Sequence, residues 1–552
     1  MRKSWLILIL TIALAVTGCS SNSGNDNENS NTTATDKSAE QTGTATPEAA
    51  AASTDAAKIV PMLKIAGSDV GFPSPFTFSA LGPFGFLRNS FLFDTLTWKD
   101  DSGVIPWLAK SWELSEDGLT YTFELEEQVK WHDGEAFTAE DVVFSFDYYK
   151  EHPFSWNGDI SQIKSVEKIN DLTVAFHLNN KYAPFLSDLV GIVPIIPQHI
   201  WQSVANPVEF QEDAALIGTG PYTLEEYDTA SGQYLFAAND SYFKGEVLVK
   251  EVAYVKVADK LLALQNGEID QTFVLTHSDV QSAEAAGFQS MKSDPTGSVV
   301  RITFNLDHAQ LGDKRLRQAI AYALNREELA AKLTGGEPIV GSGGVIPPDS
   351  PWYNQDIKAY AYDKAEAERL LDELGYAKNS EGVRSGLKLS VMTSSNSPEA
   401  TMMKEMLKEV GIDLTIAQVD GAAFSDAMGE NKYDMAITGH IGVSGDPDFL
   451  RLWFSGQAAN TYAARGTVFD AQGFQALAAE QMQELDETKR HAIVDQMQSI
   501  LAEELPTLVL FHRPFYSIHN ANVFDGWKNT YGGIADGLPL WENKALLIDV
   551  GK

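Results

Sequence analysis

A sharp change in composition after residue 57 divides this chain of 552 residues into a part that cannot build a core and a part that can. Between Ser20 and Ala57 there is no aromatic residue and no Leu, Ile, Val or Met. Such a segment has no apolar side chains to bury, so we expect it to be a flexible tether. Apolar runs are frequent from Ile59 onward, and the length after that point suits about three domains.

Short apolar runs alternate with amphipathic segments throughout the second part, a pattern that is typical of α/β proteins. Residues 120–125 alternate polar and apolar side chains and predict a half-buried strand. Thr138 is expected to cap a helix, Asp363 to form a capping box with Glu366, and residues 314–333 to present one apolar helical face. Because several strands are followed by helices, we expect parallel strand pairing.

The charge and the cysteine content exclude several classes of protein. Asp and Glu number 76 against 41 Lys and Arg, which gives a net charge of −35 and disfavours binding to nucleic acid. A single cysteine excludes a disulfide framework and any Cys-rich metal site.

A search for catalytic motifs gives little support to an enzyme. The ten histidines are scattered, and His512 and His519 are expected on opposite faces of one strand as packed or surface residues. Residues 101–103 (Asp-Ser-Gly) match an aspartic-protease triplet that has no second copy, so we interpret them as a turn. Phosphate-binding and nucleophile-elbow motifs are absent from the sequence. We therefore expect no catalysis, no cofactor and no resident metal.

The N-terminal residues indicate export and anchoring. Arg2 and Lys3 precede an apolar run over residues 5–16, which is too short to span a bilayer and is typical of a signal peptide. The run ends in Val-Thr-Gly-Cys, which resembles the bacterial lipobox. This resemblance implies a signal peptide over residues 1–18 and lipidation of Cys19.

The lipobox resemblance also has implications for the residues that follow Cys19. Residues 19–57 would form a lipid-anchored linker, and two or three acyl chains hold a protein durably at a membrane. The folded part would then lie at the outer face of the cytoplasmic membrane.

Six sequence landmarks follow one another along the chain: residues 129–146 (VKWHDGEAFTAEDVVFSF), 218–222 (GTGPY), 301–323, 346–348 (IPP), 433–435 (YDM) and 446–448 (DPD). Together they resemble the family-5 extracellular solute-binding proteins of ABC importers. Each landmark also has a structural interpretation: residues 131–134 predict a glycine turn above a buried Trp, and residues 446–448 predict a fixed loop.

The resemblance implies a periplasmic-binding-protein-like α/β fold of type II with a hinge between two lobes and an inserted small lobe. Lobe I would comprise residues 59–98, 218–300 and 515–552, with lobe II at 99–217 and lobe III at 301–514. Solute would bind in the cleft between lobes I and III, and closure would bridge both lobes.

The family's peptide binders also suggest where the solute lies. They hold the peptide ammonium with an aspartate three residues before the Asp-Pro-Asp motif, where this chain has Val443, in a loop with His440 and Gly442. His440 would suit a metal chelate or an anionic group, or would simply pack. Across the cleft, the backbone that pairs with the peptide would be Leu81, Gly82, Pro83 and Phe84, where the proline lacks an N–H.

The sequence thus predicts a lipid-anchored, monomeric receptor that captures a peptide or peptide-like solute. Its partners would be the permease and ATPase subunits of an ABC importer. In one alternative, the same fold binds a nickel chelate, a sugar or another small solute. In the others, the chain is a sensory lipoprotein or a secreted hydrolase.

Overall fold

The computed structural model describes residues 58–78, 83–154, 158–336, 339–455, 468–534 and 537–549, and only the backbone of Pro83. Cys19, Leu81 and Gly82 therefore lie outside the described residues, as do the expected signal peptide and linker.

The strands and helices are short and alternate along the chain. The strands are β1 (Leu63–Ala66), β2 (Thr97–Asp100), β3 (Gly103–Pro106), β4 (Ala109–Leu114), β5 (Thr120–Leu125), β6 (Ile163–Asn170), β7 (Thr173–Leu178), β8 (Tyr222–Asp228), β9 (Gln233–Ala238), β10 (Glu246–Val247), β11 (Glu251–Val255), β12 (Gln271–Val274), β13 (Gln289–Lys292), β14 (Ser298–Phe304), β15 (Ile339–Val340), β16 (Lys388–Thr393), β17 (Asp413–Gln418), β18 (Met435–Ile441), β19 (Thr507–His512), β20 (Tyr516–His519) and β21 (Ile548–Asp549). The α-helices are α1 (Pro83–Leu92), α2 (Ala139–Glu151), α3 (Gln198–Trp201), α4 (Lys260–Gln265), α5 (His277–Ala285), α6 (Lys314–Ala323), α7 (Arg326–Thr334), α8 (Lys364–Glu373), α9 (Pro398–Glu409), α10 (Gly421–Gly429), α11 (Phe449–Phe454), α12 (Phe474–Gln483) and α13 (Glu487–Glu504).

Three larger sheets organise these elements. The seven-stranded sheet has the order β13-β20-β12-β1-β11-β9-β8, and the six-stranded sheet has the order β15-β19-β14-β18-β16-β17. The four-stranded sheet, β4-β5-β7-β6, comes from one continuous stretch of chain. Strand β1 pairs in parallel with β11 and β12, and β16 with β17 and β18, so the expected parallel pairing occurs within both mixed sheets, at the centre of the first and at one edge of the second.

Local sequence signals predicted several of these elements correctly. The alternating residues 120–125 form β5, and the Thr138 side chain caps α2 in a capping box with Asp141. Asp363 caps α8 by accepting a hydrogen bond from the Glu366 N–H at 3.0 Å. The capping box is only half formed, because the Glu366 carboxylate accepts from the Arg369 guanidinium instead.

Two predictions of local structure are wrong. The single helical face expected over residues 314–333 is split, because α6 ends at Ala323 and Asn325 caps the separate helix α7. His512 and His519 do not share a strand: His512 ends β19 of the six-stranded sheet and His519 ends β20 of the seven-stranded sheet. Both imidazoles are buried, and burial lowers the pKa of His512 to about 4.

A fully buried carboxylate joins distant parts of the chain beside the seven-stranded sheet. Asp94 Oδ1 accepts hydrogen bonds from the indole of Trp107 at 2.7 Å, the Tyr242 hydroxyl at 3.1 Å and the Lys544 ammonium at 2.5 Å. Its Oδ2 accepts from the Thr219 hydroxyl at 3.0 Å. Neither Asp94 nor Lys544 has any solvent exposure, so the charges compensate each other within the core.

The family-like sequence landmarks have structural roles. Gly134 has a φ of 94° in the turn after the buried Trp131, as residues 131–134 predicted. A Cβ on Gly218 would lie 1.9 Å from the Leu92 carbonyl oxygen, and one on Gly220 would lie 2.3 Å from that of Phe91. The two glycines therefore allow this turn to touch the end of α1.

No helix in the part of the chain that the structure describes is both long enough and apolar enough to cross a membrane. Within the same residue ranges, no three His, Cys, Asp or Glu side chains lie close enough together to hold a metal ion.

Candidate solute cleft

Two crossing segments connect the seven-stranded and six-stranded sheets, one between β13 and β14 and the other between β19 and β20. They are hydrogen-bonded to each other: the Ser293 N–H donates to the Phe515 carbonyl at 2.8 Å, and the Ser293 hydroxyl accepts from the Phe515 N–H at 3.1 Å. The Ser298 hydroxyl donates to the Arg513 carbonyl at 2.5 Å. The crossing is thus a narrow two-segment connection between two sheets.

The directions of the strands bring the carboxyl ends of parallel strands in both sheets to this crossing. In the seven-stranded sheet, Val274 at the end of β12 pairs with Tyr516 at the start of β20, and β1 and β11 run parallel to β12. In the six-stranded sheet, Ile441 at the end of β18 pairs with Ser298 at the start of β14, and β16 runs parallel to β18. Ligands of open α/β sheets bind beyond the carboxyl ends of parallel strands. Both sheets present such ends at the crossing, where we place the candidate cleft.

The wall on the side of the seven-stranded sheet is aromatic with one cation. Phe84, in the first turn of α1, stacks on Phe273 of β12 with 5.5 Å between ring centroids. The Lys260 ammonium lies 3.8 Å from the centroid of the Phe273 ring and donates to the Phe273 carbonyl at 3.1 Å. Burial lowers the pKa of Lys260. These half-buried side chains form a surface suited to an apolar or aromatic group.

A more deeply buried polar cluster lies behind that wall. The Arg88 guanidinium packs 3.8 Å over the Tyr254 ring and donates to the Phe84 carbonyl at 2.7 Å. Glu542 belongs to the same cluster, since Arg88 and Lys260 both act electrostatically on its carboxylate. Burial nevertheless raises the pKa of Glu542.

The wall on the side of the six-stranded sheet carries an ion pair. Ser397 caps α9 by accepting from the Ala400 N–H at 3.1 Å, and its hydroxyl donates to Glu399 at 2.9 Å. The Arg513 guanidinium, just after β19, approaches Glu399 at 3.5 Å. Burial lowers the pKa of Arg513, with Glu399 acting in the opposite direction. This wall therefore offers both an acidic and a basic group.

His440 is half-buried near the end of β18. Its ring packs edge-on against Trp453 with 4.8 Å between centroids. Burial, and then the positive charge of Arg301, lower the pKa of His440 to about 3. The imidazole is therefore neutral at pH 7, which suits contact with a metal chelate but gives no charge to attract an anion.

The loop after His440 is tied to the crossing. Gly442, with a φ of 99°, donates its N–H to the Gly297 carbonyl at 2.8 Å. Val443 is 1% exposed and packs in an apolar cluster that includes Trp453. The Ser444 hydroxyl then donates to the Gly537 carbonyl at 2.6 Å, which joins this loop to the segment that leads to Glu542.

The expected peptide-pairing backbone needs a correction. Pro83 and Phe84 belong to the first turn of α1, so they are helical and not strand-like. Proline is well tolerated at a helix start because the N–H it lacks has no intrahelical partner there. Leu81 and Gly82, the other half of the expected segment, lie outside the described residues.

The Asp-Pro-Asp motif is a fixed loop, as predicted, but its carboxylates reach further than their own backbone. Arg490 donates to both oxygens of Asp446, one of the contacts being 2.6 Å long. Arg451 donates to Asp448 at 2.6 Å and also contacts Asp159, beside the four-stranded sheet, at 3.3 Å. The motif therefore fixes one edge of the cleft against two neighbouring regions.

Five charged residues of the site were not singled out from the sequence: Arg88, Lys260, Glu399, Arg513 and Glu542. Only Glu399 had a local signal, because it follows the helix-capping Ser397. The others are isolated charges whose role depends on elements far away in the chain.

Comparison with known proteins identifies the family. A family described as "Bacterial extracellular solute-binding proteins, family 5 Middle" matches residues 103–462, which is more than half of the chain. The chain therefore belongs to the family-5 bacterial extracellular solute-binding proteins, as its sequence landmarks predicted.

Individual relatives agree with this assignment. The chain is 28% identical over 438 residues to the dipeptide-binding protein of Escherichia coli, which covers 74% of this chain and 81% of that protein. It is also 28% identical over 456 residues to heme-binding protein A of Haemophilus influenzae, with 75% and 80% covered. The ABC transporter substrate-binding protein CtaP of Listeria monocytogenes superposes with a TM-score of 0.71 at 26% identity, covering 84% of this chain and 95% of that one. The predicted periplasmic-binding-protein-like α/β fold is confirmed.

Proposed function

We propose that this protein is a lipid-anchored receptor that captures a peptide or peptide-like solute and delivers it to the permease of an ABC importer. It performs no catalysis of its own and acts as a monomer at the outer face of the cytoplasmic membrane. One observation carries the proposal. The carboxyl ends of parallel strands from two sheets come together where two segments of chain cross between those sheets.

The domain division expected from the sequence is part of the proposal. The seven-stranded sheet supports lobe I (59–98, 218–300 and 515–552), the four-stranded sheet supports lobe II (99–217), and the six-stranded sheet supports lobe III (301–514). Two crossing segments are few enough to act as a hinge between lobes I and III.

Solute recognition would work by linkage between binding and closure. A solute favours the closed form only if it binds that form more tightly than the open one. A solute that touches both walls does so, because it makes all of its contacts only when the cleft is closed. A permease can then distinguish the occupied receptor from the empty one by its shape.

The charges of the two walls favour a zwitterionic solute. Glu399 and Arg513 on one wall, and Glu542 and Lys260 on the other, supply acceptors and donors at both sides of the gap. A peptide carries an ammonium, a carboxylate and amides between them, and the stacked Phe84 and Phe273 suit its apolar side chains. The peptide-binding relative in Escherichia coli supports the same class of solute.

A thermal-shift panel tests the class of solute. The purified folded part is heated with trialanine, pentaalanine, glucose, nickel–histidine or heme. We expect the alanine peptides to raise the unfolding midpoint, since a ligand at a hundred times its Kd adds about 2.7 kcal/mol to stability. A midpoint raised only by glucose, nickel–histidine or heme would contradict a peptide solute while retaining a receptor. No response to any peptide or solute at millimolar concentration would contradict the receptor itself.

Anchoring is tested separately through the lipobox cysteine. In the Cys19→Ala variant we expect the protein to move from the membrane fraction to the soluble fraction or the medium, because no acyl chains would hold it. The Ser20→Ala variant, which leaves the thiol in place, is the matched control and should stay with the membrane. Continued membrane association of the Cys19→Ala variant would disprove the proposed anchor.

A further inference from the structure

The buried polar cluster beside α1 contains hydrogen-bonding atoms that its own neighbours do not satisfy. Arg88 is 1% exposed, Tyr254 is 2% exposed and Glu542 is 4% exposed. Among the described residues, Arg88 Nε, the Tyr254 hydroxyl and Glu542 Oε2 have no hydrogen-bond partner. A buried polar atom left without a partner is destabilising, and a buried carboxylate is the most costly of the three.

The two cations of this cluster already donate to carbonyl oxygens, whereas Glu542 Oε2 accepts from no group among the described residues. Arg88 donates to the Phe84 carbonyl and packs on the Tyr254 ring. Lys260 donates to the Phe273 carbonyl and packs on the Phe273 ring. Neither cation lies within ion-pair distance of Glu542 among the described contacts. Glu542 Oε2 is the one carboxylate oxygen among the three unpartnered atoms of this cluster, and a solute that supplies an N–H donor would complete it.

The position of Glu542 in the fold connects it to the cleft. The segment that leads to it touches both the crossing and the loop of Val443: a Cβ on Gly297 would lie 2.5 Å from the Pro539 ring, and the Ser444 hydroxyl bonds the Gly537 carbonyl. Val443, at the position aligned with an ammonium-binding aspartate, is apolar and buried. A carboxylate on the adjoining segment can therefore serve the amine that residue 443 cannot.

We propose that Glu542 is the acceptor for a primary ammonium group of the solute, with Phe84 and Phe273 packing against the carbon chain that carries it. The inference rests on the proposed function, because it names the residue that recognises the amino end of a peptide-like solute. The positive charges of Arg88 and Lys260 act on this carboxylate from the protein side and oppose the effect of its burial.

The test uses small probes that do not depend on peptide recognition. Binding of 2-phenylethylammonium and of its uncharged analogue 2-phenylethanol is measured by calorimetric titration on the wild type, the Glu542→Gln variant and the Glu225→Gln variant. Glu225 lies on the exposed face of β8, so its variant controls for the loss of one negative charge. We expect the wild type and Glu225→Gln to prefer the ammonium, and Glu542→Gln to bind it about tenfold to a hundredfold more weakly.

The outcomes separate this inference from the proposed function. Equal affinity of the wild type and Glu542→Gln for the ammonium probe would overturn the inference, as would equal affinity of the wild type for the ammonium and the alcohol. The wild-type comparison decides the question even if Glu542→Gln fails to fold. If the protein binds trialanine but does not prefer the ammonium probe, the proposed function is retained and the role of Glu542 is rejected. If it binds the ammonium selectively through Glu542 but binds no peptide, the role of Glu542 is retained and the peptide solute is rejected.

Discussion

Replacing Lys544 by Met is expected to lower the free energy of unfolding by about 3–5 kcal/mol, because it leaves a buried carboxylate without its countercharge. The Lys544 ammonium donates to Asp94 and to the Phe93 carbonyl, and it lies 4.4 Å from the centroid of a Trp98 ring. Methionine has a similar length but supplies neither the charge nor the donors. Urea titration followed by tryptophan fluorescence measures the loss.

The Lys432→Met variant is the matched control for this change. Lys432 forms an ion pair with Glu430, but its side chain is 72% exposed. Exposed pairs contribute about 0–1 kcal/mol, so this variant should unfold like the wild type. Equal stability of the Lys544 and Lys432 variants would contradict the role given to Lys544 as the countercharge of Asp94.

Replacing Arg490 by Met is expected to be the second large effect, also about 3–5 kcal/mol. Arg490 is 7% exposed, bonds both oxygens of Asp446 and also bonds the Gln481 carbonyl at 3.0 Å. Burial raises the pKa of Asp188, and the nearby charge of Asp446 raises it further. Without Arg490, the repulsion between these two carboxylates is offset by Lys99 alone, which pairs with Asp188 at 3.2 Å, so the Asp-Pro-Asp loop should loosen.

Calorimetric melting and titration with trialanine measure the two consequences, a lower unfolding midpoint and weaker solute binding. The Arg369→Met variant removes an arginine that pairs with Glu366 and Glu373 but is 51% exposed, so it should change neither. A normal unfolding midpoint in the Arg490 variant would contradict the structural role given to this loop.

Local structure could be predicted from the sequence wherever neighbours in the chain determine it. The cap at Thr138 and the turn at Gly134 depend on residues no more than a few positions away. The family resemblance then supplied the global arrangement, which no local signal contains. Together they gave the correct fold class.

The wrong predictions share a physical cause, which is that tertiary packing decided between local alternatives. An unbroken apolar face runs through Leu324, yet the chain turns there so that α7 can pack on β19. His512 and His519 could lie on one extended strand, but the chain between them is a crossing segment that changes sheets.

The charged residues of the cleft could not be predicted for a similar reason. Arg88 and Glu542 are remote in sequence, and each alone is an ordinary charged side chain. They meet beside the seven-stranded sheet, where Arg88 packs on the Tyr254 ring of β11 and acts electrostatically on Glu542. Sequence patterns report periodicity within an element, not which loops meet beyond its end.

The order of strands in the seven-stranded sheet has a consequence for biogenesis. Strand β20 lies between β12 and β13, although it is made more than two hundred residues after them. Lys544 and Asp94 are likewise separated by 450 positions. Strands β12 and β13 must therefore wait for this partner until almost the whole polypeptide has emerged, and such late long-range closure slows folding. The seven-stranded sheet therefore cannot be completed before the carboxyl-terminal strand is made, whereas the four-stranded sheet, which comes from one continuous stretch of chain, carries no such delay.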